Sequence, residues 1–148
     1  IPMKTTKGVM FVMFAVLLTA SLAMAATHFK AKLSGTEESP AVETKTSGEA
    51  IFKMAKGGKE LIYELKVKDG ENVTAAHIHA GKKGEEGPPV VPLFGGAKKE
   101  GMFSGVLAKG TITDKNLVGP LAGKTLKDLV KMIEEGDAYV NVHTVAHR

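Results

Sequence analysis

The side chains able to do chemistry in this 148-residue chain are mostly its five histidines, His28, His77, His79, His143 and His147. The sharpest pattern is His77-Ile78-His79. On a strand, residues two apart point the same way with Cα atoms about 6.5 to 7 Å apart, so the two imidazoles can converge on one ion. Ala76 and Ile78 would then face the core. Tyr139-Val140-Asn141-Val142-His143 repeats the pattern, with Val140 and Val142 on the core side and Tyr139, Asn141 and His143 sharing the other. If the two strands are neighbours, His77, His79 and His143 meet. Three neutral nitrogens suit copper or zinc with an open fourth position, whereas calcium and magnesium want carboxylates and carbonyls. Because imidazoles must lose protons to bind, affinity is expected to fall below pH of about 6 to 6.5. The competing interpretation is a pair of solvated polar residues on an exposed strand face.

Other polar residues offer less. His28 lies close to the expected mature amino terminus, where it could act only as a terminal chelator, and His147 is one residue from the end. Glu37-Glu38 and Glu85-Glu86 are adjacent pairs in loops, and adjacency does not supply the convergence that a general acid and base need. Gly119-Pro120-Leu121-Ala122-Gly123-Lys124-Thr125 resembles a phosphate loop, but it has three residues between its glycines where that loop has four. It is better explained as a turn followed by a helix cap. The absence of cysteine excludes disulfides, thiolate zinc sites and a cysteine nucleophile.

The first 25 residues differ from the rest. Lys4 and Lys7 precede an unbroken apolar run from Val9 to Leu18, and Ala23-Met24-Ala25 supplies a small-x-small cleavage motif. A cleavable signal peptide over 1–25 is therefore expected, with cleavage before Ala26 and a periplasmic, extracellular or cell-surface destination. A membrane anchor is the alternative, since Val9 to Ala26 is near the lower limit for a span. Ile1-Pro2 ahead of Met3 suggests an initiator at Met3 or a fragment. Removing the leader reduces the net charge from +4 to +2, too near neutral to argue for nucleic acid. No membrane association is expected after cleavage.

Glycine and proline punctuate residues 26–148 densely, and short segments between turns favour strands. Alternation places strands at Phe29 to Leu33, Glu49 to Ala55 and Glu60 to Lys68, and further strands are expected at Thr74 to Ala80, Phe103 to Ile112 and Ala138 to Val145. Asp69-Gly70 is expected as a turn between two of them. Thr125 to Glu135 is the one helical segment, with Leu126, Leu129, Val130 and Ile133 on one face, a capping box at Thr125 and Asp128, and Gly136 as the stop. The expected fold is all-β, a Greek-key antiparallel β-sandwich with one short helix.

Four segments, in order, resemble a known family. Phe29-Lys30-Ala31-Lys32-Leu33-Ser34-Gly35-Thr36-Glu37-Glu38-Ser39-Pro40-Ala41-Val42, Gly48-Glu49-Ala50-Ile51-Phe52, His77-Ile78-His79-Ala80-Gly81 and Tyr139-Val140-Asn141-Val142-His143-Thr144 are similar to signatures of the CHRD domain, named after chordin and common in exported microbial proteins. The family pattern continues past His-Thr with a Gly-Glu-Ile-Arg-Gly-like strand, whereas this sequence stops at Arg148. That departure suggests a missing last strand and an unpaired edge beside the His143 strand. The histidines are also similar to the copper half of copper/zinc superoxide dismutase, with His77 and His79 matching the paired ligands and His143 the late one. A bridging histidine, the zinc loop, the cysteine pair and the guiding arginine of that family have no counterpart.

Three functions follow as expectations. The first is a non-enzymatic exported module binding copper or zinc through His77, His79 and His143. The second is a dismutase-like redox enzyme using the same ion, and the third an extracellular structural or protein-interaction module without metal.

Overall fold

The computed structural model describes residues 10–17, 28–34, 44–82 and 84–146. Its strands are β1 (Met10–Leu17), β2 (His28–Ser34), β3 (Ser47–Ala55), β4 (Glu60–Ala80), β5 (Pro89–Phe94), β6 (Lys99–Ile112) and β7 (Ala138–Thr144), with one α-helix, α1 (Leu126–Glu134), ahead of β7. Every pairing is antiparallel. The sheet runs β3-β2-β1-β7-β4-β5, and because β3 also pairs β4 the path closes on itself, with β6 attached to β4. After β5, β6 and α1 the chain returns to lay β7 beside β4, the long connection expected of a Greek-key sandwich. The all-β expectation, with one short helix, agrees with this architecture.

Local patterning explains most of it. In β2, Phe29, Ala31 and Leu33 are buried while Lys32 faces solvent, and in β3 Ala50 and Phe52 oppose them in the core. The helix buries Leu126, Leu129 and Ile133 in the same core as Ile78, Val140 and Val142, packing against β1, β4 and β7. At its start the Thr125 N–H donates to Asp128 Oδ2 at 3.0 Å, as the capping box requires, and Gly136 ends it at φ 74°. The Gly119–Leu121 segment is a single 3-10 turn leading to the helix cap.

Two strand expectations need correction. β4 is one strand of 21 residues where a turn at Asp69-Gly70 was expected. Asp69 and Asn72 take positive φ, 54° and 51°, and bend the chain, yet Gly70 and Glu71 stay paired with Phe103 and Met102 of β6. Thr46 Oγ1 donates to the Asp69 carbonyl, and the Asn72 side chain accepts from the Gly101 N–H, so the bend is tied down on both sides. β5 was not expected at all. Pro89 and Pro92 argue against a strand, but β5 ends the sheet path and proline is tolerated on an edge strand.

The bend also exchanges the faces of β4. Before it, Leu61, Leu65 and Val67 are the buried core residues, all odd-numbered; beyond it and the buried Val73, the apolar core side is held by Ala76 and Ile78, both even-numbered. Register shifts at Val67/Gly70, Glu71/Val73 and Val73/Ala75 produce the change. A net slip of one residue moves every following side chain to the opposite face. Without it, His77 and His79 would point into the apolar core.

In the uncleaved chain the edge beside the His143 strand, expected to be open, is occupied by a strand that cleavage before Ala26 would remove. β1 lies there, with Met10 to Met13 opposite Val142 to Tyr139, and its other half, Phe14 to Leu17, opposite Ala31 to His28 of β2. β1 is thus formed by part of the apolar run assigned to a signal peptide. Residues 1–9 and 18–27, which carry Lys4, Lys7 and the Ala23-Met24-Ala25 motif, lie outside the described residues, as do Glu37-Glu38 and His147. Among the described residues no helix is long and apolar enough to cross a membrane.

Candidate metal centre

The last part of β4 pairs directly with β7, His77 opposite Asn141, His79 opposite Tyr139 and Ala75 opposite His143. Opposed residues share a face, so one side of this two-strand ladder carries Ala75, His77 and His79 along β4 and His143, Asn141 and Tyr139 along β7. Ala76, Ile78, Val140 and Val142 fill the other side and are buried. The core thereby sets the direction of all three imidazoles.

The rings converge. Centroids of His77 and His79 are 5.7 Å apart, of His77 and His143 5.5 Å, and of His79 and His143 5.9 Å. One nitrogen from each lies within 4.8 Å of the other two. An ion centred in a triangle with sides of 4.8 Å would be about 2.8 Å from each nitrogen; bonds of about 2.0 to 2.1 Å therefore require each ring to move in by at most about 0.7 Å. Rotamer adjustment can supply that movement with the strands fixed. His28, at the start of β2 opposite Lys53, is not part of the cluster.

Hydrogen bonding selects the donor atom of His79. Its Nδ1 lies 2.8 Å from the Gly87 carbonyl, which can only accept, so Nδ1 carries the proton and Nε2 the lone pair. That Nε2 is buried and has no partner, and the same holds for His77 Nδ1. An outer partner that fixes the tautomer of a histidine is a regular feature of metal centres. Tyr139 reinforces the arrangement by stacking on His79, with centroids 5.2 Å apart and planes 14° from parallel. Its hydroxyl accepts from the Gly87 N–H at 2.9 Å and donates to the Gly87 carbonyl at 3.3 Å. Gly87 must be glycine here, since a Cβ would collide with the Ala80 carbonyl.

Burial favours the neutral, metal-competent form of each ring. Desolvation lowers the His77 pKa, and His79 lowers it further. Desolvation also lowers His79, opposed by its hydrogen bond to Gly87. His143 falls from 6.5 to about 4, chiefly through desolvation and then through the neighbouring His77 and His79. The expected onset of proton competition near pH 6 to 6.5 therefore moves toward lower pH, because these rings resist protonation more than a free imidazole does.

Sequence reasoning placed Tyr139 and Asn141 on the histidine face but assigned neither a role, and it missed Gly87 as the tautomer-setting partner. The signal for Tyr139 was its two-residue spacing from Asn141 and four-residue spacing from His143. Nothing local marks Gly87, because its contacts to His79 and Tyr139 exist only once the loop after β4 has folded back. Glu85 serves that loop, its carboxylate accepting from the Lys82 N–H at 3.2 Å.

Comparison with curated proteins and with solved structures returned no match. The profile of the CHRD domain matches residues 29–148, a span that includes His77, His79 and His143 and most of the described fold. The chain belongs to the CHRD domain family.

Proposed function

We propose that this CHRD-domain chain is an exported, non-enzymatic module that holds a copper or zinc ion through His77, His79 and His143. The observation that carries the reading is the approach of one nitrogen from each ring to within 4.8 Å of the other two, in a setting that lowers all three pKa values. Copper and zinc are favoured because the donor set is three neutral imidazoles. Export is supported by the basic-apolar-small pattern of residues 1–25 and by the resemblance of the chain to exported microbial proteins.

Titration of purified protein with copper and with zinc tests this. Wild type binds at least one of them more tightly than His79→Ala does, and that metal raises the wild-type melting temperature by an amount set by its concentration over its Kd. Equal binding by the two proteins overturns the three-histidine site. A copper-loaded sample that consumes superoxide faster than free copper would favour the dismutase-like alternative, and a melting temperature unmoved by either metal would favour the metal-free interaction module.

A further inference from the structure

The histidine cluster has a fourth member. Asn141 is only 2% exposed, and its Oδ1 is buried with no hydrogen-bond partner. On the ladder face it lies directly opposite His77, two residues from His143 on its own strand, and diagonal to His79. It is therefore the short side chain at the middle of a grid whose long members are the three imidazoles and Tyr139. Tyr139 cannot readily serve it, because that hydroxyl is engaged by both polar groups of Gly87. Burying an amide oxygen without a donor is a cost that an apolar side chain of the same shape would avoid. The orphaned atoms on this face are His77 Nδ1, His79 Nε2 and Asn141 Oδ1. Two are nitrogens suited to an ion and the third is an acceptor with no donor.

We infer that Asn141 is the positioning residue for the fourth ligand of the centre, its Oδ1 accepting a hydrogen bond from a water molecule bound to the ion. This rests on the three-histidine reading above and extends it. Three imidazoles leave one position of a four-coordinate ion open, and water bound to a divalent cation is a strong donor. An amide oxygen suits that place better than a direct ligand would, since copper and zinc prefer the imidazoles beside it. Asn141 then makes the centre one that retains solvent on the ion.

The test compares Asn141→Leu and Asn141→Asp with wild type, using the metal that wild type binds. Asn141→Leu removes the acceptor while keeping the number and branching of the side-chain heavy atoms; the metal-free variant is expected to melt at or above the wild-type temperature, while its metal affinity falls about 10- to 100-fold. Asn141→Asp keeps an acceptor facing the ion and binds at least as tightly as wild type. In the copper(II) form, electron-nuclear double resonance is expected to show an exchangeable proton from bound water in wild type and its loss or shift in Asn141→Leu. An affinity of Asn141→Leu within twofold of wild type overturns the inference, as do equal losses in both variants, a metal-free Asn141→Leu chain that melts well below wild type, or the absence of an exchangeable proton at the wild-type copper. If wild type binds neither metal, both this inference and the three-histidine reading fall; wild-type binding with unchanged Asn141→Leu affinity removes this inference alone.

Discussion

Between Glu60 and Lys68, β4 turns Leu61, Leu65 and Val67 into the core and leaves Ile62, Lys66 and Lys68 exposed, with Lys66 and Glu64 paired at 3.2 Å. Between Thr74 and Ala80 the same strand buries Ala76 and Ile78, and on its other side His77 and His79 enter a cluster that water only partly reaches. At the first end the polar groups stay hydrated or matched to an opposite charge. At the second, imidazole nitrogens and an amide oxygen have lost water without gaining a protein partner. One end is therefore arranged for stability, and the other accepts a polar cost that an ion and its water would offset.

Core truncation at the first end should have the largest effect. Leu65→Ala, at a fully buried position, is expected to destabilise the chain by about 2 to 5 kcal/mol in urea unfolding, equally with and without metal. A metal-dependent loss would blur the distinction between the two ends. Acid should next single out the second end. All three imidazoles have lowered pKa values in the folded state, so below about pH 6.5 the unfolded chain binds more protons than the folded one. Stability of the metal-free protein is then fully present above about 6.5 and declines as pH falls toward about 4, where His143 itself protonates. Melting curves of wild type and His143→Leu check this, because the variant should lose less between pH 7 and 4.5.

A subtler change leaves the ligands intact. Gly87→Ala forces the carbonyl that orients His79 away from Ala80 and is expected to weaken metal binding about 10- to 100-fold, together with a loss of metal-free stability from the displaced backbone. Calorimetric titration together with thermal melting separates the two quantities. The smallest effect belongs to the exposed pair: Glu64→Gln should change stability by less than about 1 kcal/mol and metal affinity not at all. A measurable change in affinity would mean that the two ends communicate along β4.

The parts of this protein legible from sequence were those governed by short periods. Alternation in Phe29 to Leu33 located β2, the spacing of Leu126, Leu129 and Ile133 located α1, and the two-residue step from His77 to His79 put both rings on one face. Long-range choices were hidden. Asp69-Gly70 has the composition of a turn, and only pairing with β6 holds it inside a strand. Pro89 and Pro92 disguise β5, whose edge position makes them harmless. The exchange of faces between Val67 and Ala76 depends on three register shifts that no local pattern encodes, and the roles of Gly87 and Asn141 depend on partners far away in sequence.

The direct pairing of β4 with β7 also bears on the order in which the molecule is made. His77 and His79 emerge during synthesis 64 residues before His143, so a growing chain carries a two-histidine chelate through the making of β5, β6 and α1. The third nitrogen arrives only when β7 pairs with β4. Tight metal capture would thus be a late event that marks a completed sheet, and the captured ion would clasp two strands whose separation in sequence otherwise makes their meeting slow.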